Sequence, residues 1–251
     1  MAQRVSRLDG RTILVVGATA GIGSAIYRQC AAAGAKVIGV GRNEQKGQAL
    51  AAEVGGSFIR ADIGDAEDIE NLFGEIARRG LSIDGAVNNA AVTQAAMPID
   101  ETPLEEFDRL VSVNLRGTWN CVAHELRSMR GAGGSIVNVA SIAGKRGFPG
   151  LSIYCATKHA VIGLTRSAAL DGAADGVRVN ALLPGTTLTE MMEEQMLTRP
   201  GGLEGTIARI PLGRISSPSE QASAAIWLLS DDSSFVTGEC LTVDGGTTAR
   251  T

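Results

Sequence analysis

The sequence predicts an α/β fold: a single doubly wound parallel sheet of about seven strands, flanked by helices on both faces. Three observations carry that prediction. Short runs rich in Val, Ile and Leu alternate with longer amphipathic stretches along the whole chain. The short runs are nearly continuously apolar, which is the pattern of strands buried on both faces. The 251 residues include 32 glycines but only 7 prolines, with no collagen-like period, so the excess glycine belongs at turns and close backbone approaches.

Residues 12–16 form the first strand, and a helical pattern over 22–33 ends at Gly34, a glycine suited to a C-cap. Strands follow at 36–40 and 57–60 around a helix at 44–54, then a helix at 66–79 and a strand at 85–89. The long helical pattern at 105–129 is expected to break near Gly117. Residues 135–140, 153–173 and 177–183 read as strand, helix and strand. The segment 185–214, rich in Thr, Met, Gly and Pro, interrupts the rhythm and reads as a lid-like substrate insertion. The last helix, 219–229, follows a start signal, Ser217-Pro218-Ser219-Glu220, and a strand at 240–245 closes the sheet. Right-handed crossovers join the parallel strands. With no repeat and no polar linker tract, the reading is one domain over residues 1–251.

A formal net charge of −4 gives no electrostatic reason to expect nucleic acid or an anionic membrane surface. No apolar run approaches the ~20 residues of a spanning helix, and the N-terminal run ILVV is too short for a signal peptide. The expected location is therefore cytoplasmic. Cys30, Cys121, Cys155 and Cys240 are scattered without metal-ligand spacing and read as structural thiols; His124 and His159 read as packing residues, and no metal is expected.

Gly17, Gly21 and Gly23 stand between the first strand and the first helix. There a tight turn and bare backbone let a pyrophosphate reach the helix N-terminus. Their G-x-x-x-G-x-G spacing differs from the G-x-G-x-x-G fingerprint, but strand, glycines and helix come in the required order. At the end of the second strand the ribose-binding acidic position holds Gly41, followed by Arg42. A guanidinium can bind a 2′-phosphate that a carboxylate would repel. The expected cofactor is thus NADP(H), with NAD(H) tolerated because Ala20 adds no second cation. Asp62, after the third strand, is placed to accept from an adenine amino group, or else serves as a turn residue.

Tyr154 and Lys158 lie one helical turn apart in SIYCATK. The bland alternative is a packed phenol beside a lysine whose stem carries its charge out to water. The chemical alternative is a tyrosine acid/base: a cation about 4 Å away is worth up to ~4 kcal/mol at an effective dielectric near 20, about 3 pKa units. Met191, Met192 and Met196 are expected to pack the apolar face of a lid helix rather than line a pocket. Trp119 and Trp227 read as core or interface.

Read together, GATAGIG, NNAA at 88–91, Asn114 in VSVNLRG, Ser141 in NVASIAG, YCATK and LLPGTTLT make the chain resemble the short-chain dehydrogenase/reductase family from about residue 10 to 246. Two departures, Val16 before the first glycine and Ala91 after NNA, imply small backbone adjustments. The resemblance implies a Rossmann-type domain that interconverts a secondary alcohol and a ketone. In it Tyr154 is the acid/base, Ser141 binds the substrate oxygen, Lys158 also holds the nicotinamide ribose, and Asn114 keeps a water linking Lys158 to solvent. It implies cofactor contacts from Gly17, Thr19, Gly21, Ile22, Gly23, Arg42, Asp62, Ile63, Asn89, Ala90, Tyr154, Lys158, Pro184 and Gly185. Leu188 is expected near the carboxamide and Thr189 near the phosphates. It also implies a homotetramer acting on a small-molecule alcohol or ketone. A 3-oxoacyl-carrier-protein reductase shares these residues, though Arg130 stands without a second cation for an acidic carrier. A non-catalytic nucleotide sensor is the alternative of another class. A dehydratase or epimerase would need a longer C-terminal substrate domain.

Overall fold

The computed structural model describes residues 7–192 and 201–250. Seven parallel strands form one sheet in the order β3-β2-β1-β4-β5-β6-β7, with the sequence reversing direction between β1 and β4. They are β1 Thr12–Val16, β2 Lys36–Gly41, β3 Ser57–Arg60, β4 Gly85–Asn88, β5 Gly134–Val139, β6 Val177–Pro184 and β7 Cys240–Val243. The central strands β1 and β4 are buried at every residue. That explains why their sequences are continuously apolar instead of alternating.

Helices α1 Gly21–Ala32, α2 Glu44–Val54 and α8 Pro218–Leu229 cover one face, where Ile26, Leu50 and Leu228 pack on Ile13, Val15 and Val137. On the other face, α3 Ala66–Arg78, α5 Thr118–Met129 and α6 Ser152–Gly172 pack Leu72, Cys121 and Ala168 against Leu14, Val16 and Ile136. Short helices α4 Leu104–Leu110 and α7 Gly202–Ile207 also occur among the described residues. Gly34, at φ +88°, follows the end of α1 as expected of a left-handed C′ glycine. Ser217 and Glu220 form a reciprocal capping box ahead of α8.

The expected break near Gly117 is absent. Residues Val111–Gly117 form a π-helical stretch that joins α4 to α5 without interruption. Gly117 is required there for contact rather than for bending: a Cβ would lie 2.4 Å from the Ile63 carbonyl oxygen. The four cysteines are buried free thiols. His124 stacks on Phe73 at 4.7 Å, and the His159 Nδ1 meets the Cys155 carbonyl at 2.8 Å, so both histidines pack as expected. Trp227 packs into the core, whereas Trp119 is exposed. Among the described residues no helix is long and apolar enough to cross a membrane.

Candidate active site

The carboxyl ends of β1 to β6 open into one cavity of about 650 Å³, at the point where the strand order reverses, where parallel sheets leave a crevice. At its β1 end, Gly17 takes φ +80°, and a Cβ there would lie 2.5 Å from the Ala90 nitrogen. Only glycine satisfies both conditions. Thr19, Gly21 and Ile22 line the cavity beside the N-terminus of α1, which has no side-chain cap. Uncapped N–H groups beside bare backbone suit a pyrophosphate. Gly23 does not reach the cavity. A Cβ on it would stand 1.9 Å from the Gly17 oxygen, so its role is to let the helix close on the turn. Asn89 Nδ2 donates to the same oxygen at 3.0 Å, and Asn89 and Ala90 both line the cavity. No non-glycine residue among those described has a positive φ, so Ala91 sits without backbone strain.

Gly41, Arg42, Asp62 and Ile63 form the far end. Arg42 is 69% exposed, with Nη1 3.8 Å from Asp62 Oδ2. Asp62 also accepts from the Gly64 N–H at 2.9 Å. It is therefore both the turn residue and the cavity residue that the sequence left open.

At the opposite end, Ser141 leaves β5 in extended conformation and lines the cavity, its Oγ accepting from the Ala143 N–H at 3.1 Å. Tyr154 enters from the first turn of α6. Lys158, one turn later, does not reach water. It is 3% exposed, and its Nζ donates to the Val139 carbonyl at 2.8 Å and lies 5.7 Å from the centre of the Tyr154 ring. Burial pulls the ammonium down from 10.5 to about 8.

Asn114 stands behind the cavity wall. Its Oδ1 accepts from the Val92 N–H at 2.8 Å, and its Nδ2 donates to the Val92 carbonyl at 2.9 Å and to Thr157 Oγ1 at 3.3 Å. The Asn114 side chain is thus committed to protein partners.

At and beyond the end of β6, Pro184, Gly185, Thr187 and Thr189 line the cavity. Leu188 does not. It is 54% exposed and faces an outer groove with Ser24 and Arg28. Thr186 and Thr187, just before it, line the cavity, and Thr187 is bridged to Ser216 through its backbone and its hydroxyl. Met191 and Met192 line the cavity rather than packing only on a lid; Met196 lies outside the described residues. Sequence reasoning also missed a buried chain in which Asn88 Nδ2 donates to Glu125 Oε2 at 2.9 Å and to Asn138 Oδ1 at 3.0 Å. The available signal was an asparagine at the end of one apolar run, Asn88, and another inside a second, Asn138.

The family profile described as "Enoyl-(Acyl carrier protein) reductase" matches residues 17–248. The 2,5-dichloro-2,5-cyclohexadiene-1,4-diol dehydrogenase of Sphingobium indicum is 45% identical over 250 residues, 98% of this chain and 100% of its own. The 3beta-hydroxysteroid dehydrogenase of Mediterraneibacter gnavus is 35% identical, covering 97% of each chain. A solved short chain dehydrogenase/reductase family protein superposes with a TM-score of 0.86 at 39% identity, over 96% of this chain and 99% of that one.

Proposed function

The chain belongs to the short-chain dehydrogenase/reductase family and is an oxidoreductase, and from that premise we propose that Tyr154 is the acid/base by which it interconverts a secondary alcohol and a ketone. The observation that carries the proposal is the buried Lys158 ammonium set against the Tyr154 ring. A buried cation beside the ring favours phenolate over phenol. A bound nicotinamide cofactor supplies or accepts the hydride. In oxidation Tyr154 Oη takes the alcohol proton, and in reduction it returns a proton to the ketone oxygen. Ser141 Oγ donates to that oxygen and stabilises the charge it develops. Asn114 fixes Val92 behind the site, so any water it holds would bind its main-chain carbonyl.

Tyr154→Phe tests this directly. It should bind the dinucleotide as the wild type does while kcat falls at least ~10²-fold. Retention of half the wild-type rate would remove Tyr154 from the chemistry.

For the cofactor the reading is NADP(H) over NAD(H). Arg42 is at the cavity rim with no carboxylate at position 41, but it is shared with Asp62, so the preference is moderate, about tenfold. Gly41→Asp with Arg42→Ala should reverse it. Thr19 must yield slightly, because a Cβ at position 41 would lie 3.1 Å from its Cγ2. Measured kcat/KM for both cofactors decides, and a wild type that favours NADH ends this part of the reading. Support for a carrier-bound substrate is weak, since Arg130 is already paired with Asp175 at 3.7 Å. The same reading has one domain acting as a cytoplasmic homotetramer, as the family resemblance implies, and sedimentation checks the assembly.

A further inference from the structure

The catalytic helix begins without a cap of its own. Leu151 at the N-cap offers no acceptor, and the buried hydroxyl of Ser152 has no partner. A 21-residue helix that starts inside the protein in this way would leave its first N–H groups unsatisfied. They are satisfied from another part of the chain. Gln94 Oε1 accepts from the Ile153 N–H at 3.1 Å and from the Tyr154 N–H at 3.0 Å. Gln94 Nε2 donates to the Gly150 carbonyl at 3.1 Å. The amide orientation is fixed by chemistry, because the reverse placement would set an NH₂ against two backbone donors.

We propose that Gln94 is a positioning residue for the reaction, holding the first turn of α6 so that the Tyr154 phenol meets Ser141 and Lys158 in register. The proposal rests on the reading of Tyr154 as the acid/base. Gln94 is 2% exposed and does not line the cavity, so it acts through Tyr154 and not on substrate. Its own placement is rigid. Asn114 grips both backbone groups of Val92, and Arg109 Nη2 donates to the Thr93 carbonyl at 2.7 Å. The Met97 N–H returns to the Gly150 carbonyl at 3.2 Å. Tyr154 is thus gripped at both backbone groups: its N–H by Gln94, and its carbonyl by Thr157 Oγ1 at 2.9 Å, the hydroxyl that Asn114 also reaches. Because Ser141 sits on a different element, any slip of this turn changes the phenol's distance to the substrate oxygen. A misplacement of about 1 Å is worth ~10²-fold in rate.

The choice of an amide is informative. A carboxylate would cap a helix N-terminus at least as well. Here, however, its second oxygen would oppose the Gly150 carbonyl, and its charge would stand beside the residue that must become phenolate. Glutamine supplies the acceptor without the charge.

Three proteins test this: wild type, Gln94→Met, which keeps volume without acceptor or donor, and Gln94→Glu, which keeps the acceptor. Each is assayed on a secondary-alcohol panel across pH, with cofactor affinity from fluorescence titration and deuterium exchange of the peptide spanning 150–156. Gln94→Met should lower kcat at least ~10-fold, leave cofactor affinity within about twofold and speed exchange of that peptide. Gln94→Glu should restore slow exchange and part of kcat, with the limb of alcohol oxidation moved to higher pH. Gln94→Met within twofold of wild type in kcat overturns the proposal. So does a Gln94→Glu enzyme with the rate and pH profile of Gln94→Met, which would leave a role in folding alone. A wild type that oxidises no alcohol on the panel overturns the acid/base reading and this proposal with it. A turning-over wild type with an unaffected Met variant overturns this proposal only.

Discussion

Replacing Glu125 with glutamine should stabilise the protein at neutral and alkaline pH while leaving it unchanged in mild acid. Glu125 is fully buried on α5, and its Oε2 accepts a hydrogen bond from Asn88 Nδ2. Glu125 Oε1 and Asn88 Oδ1 are both unpartnered. One proton, held on Glu125 and given to Asn88, would satisfy both acceptors and close an acid–amide pair. Burial accordingly pushes the carboxyl from 4.5 up to about 7. The folded state therefore keeps a proton that the unfolded state has lost between about pH 4.5 and 7. Stability falls as pH rises through that window and levels off above it. A shift of this size corresponds to about 3 kcal/mol at ~1.36 kcal/mol per unit. Glutamine cannot ionise and offers Asn88 both the acceptor and the donor. Equilibrium urea unfolding at fixed protein concentration, from about pH 4.5 to 8, should show the variant's advantage growing from near zero to roughly 3 kcal/mol. An advantage constant within ~0.5 kcal/mol across that range would mean that Glu125 is ionised throughout, and would refute the acid–amide pair.

Lys158→Met should abolish turnover yet raise thermal stability at pH 7. Because the buried ammonium titrates near 8 instead of 10.5, wild-type stability rises between those values, so the variant's advantage, up to ~3 kcal/mol less the bond to Val139, should vanish by about pH 10.5; an advantage independent of pH would contradict this. Gly23→Ala should lower the melting temperature and weaken dinucleotide binding, because its methyl meets the Gly17 oxygen, whereas Gly74→Ala on exposed α3 surface meets nothing and should be neutral or mildly stabilising. Equal melting temperatures for the two would refute that account. Arg42→Ala alone should cost NADPH about tenfold in affinity and NADH little, read by fluorescence titration; equal losses would assign Arg42 to Asp62 rather than to a phosphate.

Where burial, turn chemistry and periodicity agree, the chain is legible from sequence: all seven strands and the α1, α2, α3, α6 and α8 helices lie within about two residues of expectation. The glycine turn and Ser141, Tyr154 and Lys158, singled out in the sequence, line one cavity. What escaped depends on neighbours distant in sequence. Whether Lys158 reaches water is decided by Val139, nineteen residues away. Which residues after β6 line the cavity depends on the pairing of Thr187 with Ser216, twenty-nine residues away, which composition does not carry. Met191 and Met192 could as well have packed on their own helix, and only the sheet beneath them gives that face a cavity. Glu125 and Gln94 leave no local trace at all, since their partners are in β4 and at the start of α6.

The π-helical stretch explains why that part of the chain reads as a break, and it has a mechanical consequence. Leu110, Asn114, Thr118 and Val122 are all buried and succeed one another at intervals of four. In an α-helix each such step overshoots a full turn by about 40°, so the row would have wound about 120° around the rod by Val122. The wider turns over Val111–Gly117 cancel much of this phase drift. The row that begins behind the cavity therefore still faces the sheet where Glu125 meets Asn88. The helix behaves as a gear with one oversized tooth. Removing a single residue between Val111 and Gly117 would tighten the turns and swing Asn114 and Glu125 out of alignment with each other. The two ends of this rod cannot be tuned independently by any change in its length.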